Sequence, residues 1–212
     1  MYIRGMTLAR LTLTPRDARA RVPFLGGADL ALARVHEFCG PARRSLALMA
    51  AARVLAGQAR PLVWISPSWG MDPLNPDGIR EFLPPQHMLF LTARRPEDLL
   101  WSMEEALRAG VVPVVVADLP APPAMTPVRR LHLAAETGSA EGTCAPLGLL
   151  LCPGEGGAPG VESRWHMAPC HGPGIRQWRL ERRRARMAPP KGWDLRPTSQ
   201  GLEATPTTPP PL

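Results

Sequence analysis

Val35-His36-Glu37-Phe38-Cys39-Gly40-Pro41-Ala42-Arg43-Arg44-Ser45-Leu46-Ala47 runs from a short apolar stretch through a glycine–proline turn into an alanine- and leucine-rich segment that Gly57 stops. A strand over 35–39, a turn and a helix over 46–56 form the opening of a strand–helix unit. The same alternation continues outward from it. Leu62–Ser66 reads as a buried strand, 67–85 as a Pro- and Gly-rich loop with a short helix, and Met88–Ala93 as another strand. Pro96, Glu97 and Asp98 open the clearest helix, with Leu99, Leu100, Met103 and Leu107 on one face and Gly110 as its stop. Trp101 and Leu107 are expected in the core. Val111–Val116 is a run of the kind buried on both faces of a parallel sheet, and a helix over about 125–137 precedes a strand over Leu147–Cys152.

Strands alternating with helices predict an α/β fold with a mainly parallel sheet between helices. From Ser163 onward only strands are read, over 163–168, 176–184 and 193–195, which predicts an antiparallel extension with 176–184 as an edge strand. The 212 residues suit one core domain, 23–196, preceded by a basic segment, 1–22, and followed by a Pro-rich tail, 197–212, expected to be disordered.

Cys39, Cys144, Cys152 and Cys170 include no CxxC pair, and a chain this long needs no staple, so reduced thiols and the cytoplasm are expected. No stretch approaches a membrane helix or a secretory signal. The formal charge of +7 is concentrated at two places. Residues 1–22 carry Arg4, Arg10, Arg16, Arg19 and Arg21 against Asp17; residues 176–191 carry Arg176, Arg179, Arg182, Arg183, Arg184, Arg186 and Lys191 against Glu181. A nucleic-acid or acidic-partner footprint belongs there, as does a plain solvated basic face. Trp178 and Trp193 beside these cations suggest stacking on single-stranded DNA.

In an α/β sheet, phosphate is bound at the turn after the first strand. A working GxxxxGK[ST] loop needs a second glycine, a lysine and a hydroxyl. After Gly40, Pro41, Ala42, Arg43 and Arg44, those places hold Ser45, Leu46 and Ala47, and the chain's single lysine is the distant Lys191. Nucleotide hydrolysis is therefore not expected. Arg43 and Arg44 suit either a bound anion or a solvated helix start.

Gly26-Gly27 through Val35–Pro41 resembles the entry to the RecA P-loop, with a longer spacer. In that family the next strand ends in a catalytic glutamate shortly before an Asp-Pro pair; counted back from Asp72-Pro73, Ser68 stands there. Asp118 resembles the Walker B aspartate as a relic, and Arg184-Ala185-Arg186-Met187-Ala188-Pro189-Pro190 resembles the basic strand before a paired proline. The likeness spans about 26–196 and implies a RecA-like three-layer α/β/α core. The connections 119–125 and 153–162, which correspond to the RecA DNA-binding loops, are short. The stretches Arg95–Arg108 and Arg129–Glu136, with Ser163-Arg164-Trp165, are similar to the ImuA family.

That resemblance implies a cofactor-free, non-enzymatic accessory protein of SOS-induced translesion mutagenesis in the bacterial cytoplasm. Its partners would be an ImuB-type polymerase-like protein and a second DnaE-type polymerase, with RecA and single-stranded DNA also compatible. A RecA-family DNA-dependent ATPase with an atypical loop and a SulA-like cell-division inhibitor are the alternatives. Cys144, Cys152, His166, Cys170 and His171 match no paired-ligand spacing, so structural thiols and surface histidines are expected there and no metal.

Overall fold

The structure, a computed structural model, describes residues 20–69, 72–198 and 201–207. All but the last few residues of the basic segment 1–22, and residues 208–212 of the tail, lie outside the described residues.

In chain order the elements are β1 (Arg21–Pro23), β2 (Asp29–Ala31), β3 (Arg34–Cys39), α1 (Arg43–Val54), β4 (Leu62–Pro67), α2 (Pro76–Arg80), β5 (Met88–Ala93), α3 (Pro96–Ala109), β6 (Val114–Asp118), α4 (Met125–Glu141), β7 (Leu147–Leu151), β8 (Ser163–Pro169), β9 (Trp178–Ala185), β10 (Lys191–Thr198) and β11 (Gly201–Thr207). β1 and β2 pair with each other, and the other nine strands form one sheet in the order β11-β10-β9-β8-β3-β7-β6-β4-β5. From β8 to β5 every pairing is parallel. From β8 to β11 every pairing is antiparallel.

The apolar runs that predicted buried strands divide between two cores by the two-residue period of a strand. Val114, Val116, Leu147, Leu149 and Leu151 face α1 through Leu46, Met49 and Ala50. Val115, Ala117, Leu150 and Ile65 face Leu99, Met103 and Leu107 of α3 and Val128, Leu131 and Ala135 of α4. Burying each such side chain is worth about 1.5–3 kcal/mol, which favours β3, β6 and β7, buried along their whole length, at the centre of the sheet.

The fold departs from the sequence expectations at the sheet edge, in the tail and on α3. Residues 176–184 are no edge: β9 lies between β8 and β10, because β10 and β11 extend the sheet as a hairpin. Residues 201–207 accordingly form a strand where a disordered tail is expected. Leu107 is buried as expected, but Trp101 is 60% exposed. Its place on α3 lies outside the stripe of Leu99, Met103 and Leu107 that meets the sheet.

Candidate functional site

The turn after β3 is closed by its own backbone. Gly40 has φ +88°, and a Cβ there would lie 2.5 Å from the Met167 carbonyl oxygen, so glycine is required. Its N–H donates to the Gly154 carbonyl at 2.9 Å, the Ala42 N–H to Met167 O at 3.0 Å and the Arg43 N–H to Gly40 O at 3.3 Å. Pro41 has no N–H. The Gly40, Ala42 and Arg43 N–H groups are thus engaged by the chain itself. α1 begins at Arg43, so Leu46 and Ala47, at the lysine and hydroxyl places, are fully buried against the sheet.

Arg43 and Arg44, in the first turn of α1, point to Asp118 at the end of β6. Arg44 Nε donates to Asp118 Oδ2 at 2.6 Å, and Arg43 Nε lies 3.7 Å from Oδ1. Arg44 Nη1 also donates to the Asp72 carbonyl at 2.9 Å. Asp118 is wholly buried; burial raises its carboxyl pKa above the ordinary range, against the opposing pull of the two guanidinium groups. The fold thus brings the first turn of α1 and the end of β6, which the sequence separates, together as an ion-paired cluster. Ser68 is exposed, its N–H bound to the Ala93 carbonyl at 2.9 Å.

One buried group stands out only in three dimensions. Glu37, in the middle of β3, is fully buried. Its Oε1 accepts from Gly157 N–H at 2.7 Å and Ala158 N–H at 2.9 Å, and its Oε2 accepts from Arg164 Nε. Arg164 Nη2 donates to the Ala158 carbonyl at 3.0 Å. His132 and Arg186 both donate to the Gly160 carbonyl, at 3.1 and 2.9 Å. The connection 153–162 is therefore held to the sheet at several points. A carboxylate inside an apolar strand run was the sequence signal for this clamp, since such a group must be paired.

The basic strand is largely neutralised. Arg176 pairs with Glu81, Arg179 with Asp194, Arg183 with Glu155 and Glu181, and Arg186 with Glu162. Arg182, Arg184 and Lys191 have no carboxylate partner among the described residues. Trp178 and Trp193 are 6% and 1% exposed. Arg176 lies over the Trp178 ring, Arg182 over Trp165 and Trp193, and Lys191 over Trp193. The expectation that bases stack on these tryptophans is corrected: their rings belong to the core, where Trp165 and Trp193 stack at 5.8 Å.

Histidines and thiols complete the buried polar set. His166 is buried rather than on the surface, whereas His171 is exposed. Among the described residues no group of three or more His, Cys, Asp or Glu is placed to hold a metal ion. Burial, with Glu37 nearby, pushes the Cys39 thiol up to about 12 and raises Cys152 as well, which makes both unreactive at neutral pH.

His36 and His132 are both neutral by geometry. His36 Nε2 donates to the Ala31 carbonyl at 3.0 Å, leaving Nδ1 to accept from the Ser163 hydroxyl at 2.6 Å. His132 likewise donates from Nε2 to Gly160 O and accepts at Nδ1 from Val35 N–H at 3.3 Å. Burial lowers each pKa to about 4, and Arg34 adds to the effect at His132. A folded-state pKa below the unfolded value means that these rings contribute stability above about pH 6.5 and lose it as pH falls toward 4. The urea midpoint is therefore expected to decline from pH 7 to pH 5, and His132→Gln should flatten that decline; a midpoint unchanged over this range would refute the assignment.

Fold and site together define a mixed α/β protein with a large, mostly parallel nine-stranded sheet. Among solved structures, the chain is similar to SulA from Pseudomonas aeruginosa at 25% identity, covering 57% of this chain and 98% of that chain, with a TM-score of 0.44. No protein family and no curated protein matches the chain.

Proposed function

We propose that this chain is a non-catalytic accessory protein of SOS-induced error-prone translesion DNA synthesis, built on a RecA-like three-layer core. In this reading it acts in the bacterial cytoplasm with an ImuB-type polymerase-like protein and a second DnaE-type polymerase. The observation that carries the non-catalytic part is the Arg44–Asp118 pair at 2.6 Å. Phosphoryl transfer needs a cation free to meet phosphate and a carboxylate free to meet magnesium. Here those two charges are engaged with each other, beside a turn whose Gly40, Ala42 and Arg43 N–H groups are also bonded within the chain. The pathway is supported by the ImuA-like stretches Arg95–Arg108 and Arg129–Glu136, which form most of α3 and the middle of α4.

Within the basic stretch 176–191, Arg184 of β9 and Lys191 at the start of β10 are the cations offered to an acidic partner surface. The test is twofold. The purified protein with magnesium and ATP should release no phosphate above the blank, with or without single-stranded DNA. Co-expressed with an ImuB-type protein it should co-purify, and Arg184→Glu with Lys191→Glu should weaken that association. DNA-stimulated hydrolysis that disappears in Asp118→Asn would instead establish the atypical ATPase. Filamentous growth on overexpression, without ImuB association, would establish a SulA-like division inhibitor.

A further inference from the structure

We infer that the groove between the N-terminal halves of α3 and α4 docks a basic amphipathic segment of a partner protein. This surface is separate from the arginine-bearing strand and does not depend on the pathway proposed above.

The two helices meet closely at their C-terminal ends, where a Cβ on Gly138 would lie 2.0 Å from the Leu107 carbonyl oxygen. Toward their N-terminal ends they leave a cavity of about 620 Å³. Its apolar lining residues are Leu100, Trp101, Pro127 and Leu131. Trp101 is 60% exposed, a large ring left in water on a helix whose other apolar side chains are mostly buried. Exposed tryptophan in a concave apolar site is the residue type that most often carries binding energy between proteins.

The charge around this groove selects the occupant. Glu97, Asp98 and Glu104 line it against the single cation Arg130, whereas the whole chain carries +7. Arg130 is held by Glu104, which Arg108 also contacts. Glu97 and Asp98 have no cationic side-chain partner among the described residues. Their position in the first turn of α3 suits the helix dipole. That role does not account for the exposed ring beside them. Two free carboxylates next to an apolar groove match a helix with leucine or aromatic anchors at i, i+3, i+4 and i+7 and lysine or arginine between them.

Two fluorescein-labelled peptides with the same leucine spacing, one with lysine and one with glutamate at the remaining positions, separate this groove from bulk electrostatics. A protein of net positive charge attracts the glutamate peptide nonspecifically. Anisotropy titration of the full chain should show the lysine peptide binding the tighter. Trp101→Ala, a surface change whose fold is checked by circular dichroism, should weaken it about tenfold or more. Glu97→Lys with Asp98→Lys should reverse the preference. Tighter binding of the glutamate peptide, no binding of either, or equal affinity after Trp101→Ala would each overturn the inference.

Discussion

Replacing Glu37 by alanine is expected to cost about 4 kcal/mol of folding stability, because removing one partner from a buried ion pair leaves the other uncompensated. Arg164, one-fifth exposed, would keep its charge without its partner. The Gly157 and Ala158 N–H groups would lose their acceptor at 2.7 and 2.9 Å. Ala158 is buried, and an unsatisfied buried donor adds about 1–3 kcal/mol in isolation, whereas Gly157 is exposed and can turn to water. Glu37→Gln separates the two contributions. Its oxygen can still accept from both N–H groups, while its amide would face the Arg164 guanidinium donor to donor. The glutamine variant should therefore be destabilised by less than the alanine variant, and hydrogen exchange in residues 153–162 should accelerate in the alanine variant. Equal stability of wild type and Glu37→Ala in urea unfolding would show that the clamp contributes nothing.

Arg44→Ala is the second large effect, about 3 kcal/mol, and it should be strongly asymmetric. Asp118 has no exposed surface, and its remaining contact, Arg43, lies at 3.7 Å, too long to replace a direct hydrogen bond. Asp118→Asn removes instead the charge whose burial is costly, as the raised pKa of that carboxyl indicates, and leaves two arginines with partial access to water. The asparagine variant should lose less than about 1 kcal/mol, and in its background Arg44→Ala should cost far less than in the wild type. A double-mutant cycle measured by urea unfolding reads this coupling directly. Additive losses would mean that the two side chains are neighbours without interaction.

The strand–turn–helix at 35–47 was legible because apolar runs, a glycine–proline turn and an alanine-rich helix are each local. So were the α3 boundaries, marked by Pro96 and by Gly110 in a left-handed cap. The interior place of β9 is not legible in the sequence, because alternation along a strand reports its two faces and not its neighbours. The β10–β11 hairpin that covers it runs on through residues 201–207, which read compositionally as part of a tail from 197. Trp101 was misplaced for a related reason: an aromatic residue near a helical apolar stripe joins the core only if another element covers it.

For the candidate site, the residue types carry the expectation of no hydrolysis: Leu46 and Ala47 follow the glycine–proline turn where a GxxxxGK[ST] loop would have lysine and a hydroxyl. They also located the surplus of arginine. Only the tertiary structure decided what those arginines do, because an ion pair depends on separation in space. Arg44 and Asp118 are 74 residues apart in sequence and 2.6 Å apart in the fold. The β3–α1 turn and the end of β6 bring them to the same end of the sheet. The fold likewise sets Arg176, Arg179, Arg183 and Arg186 against carboxylates, leaving a smaller unpaired positive surface than the composition of 176–191 implies.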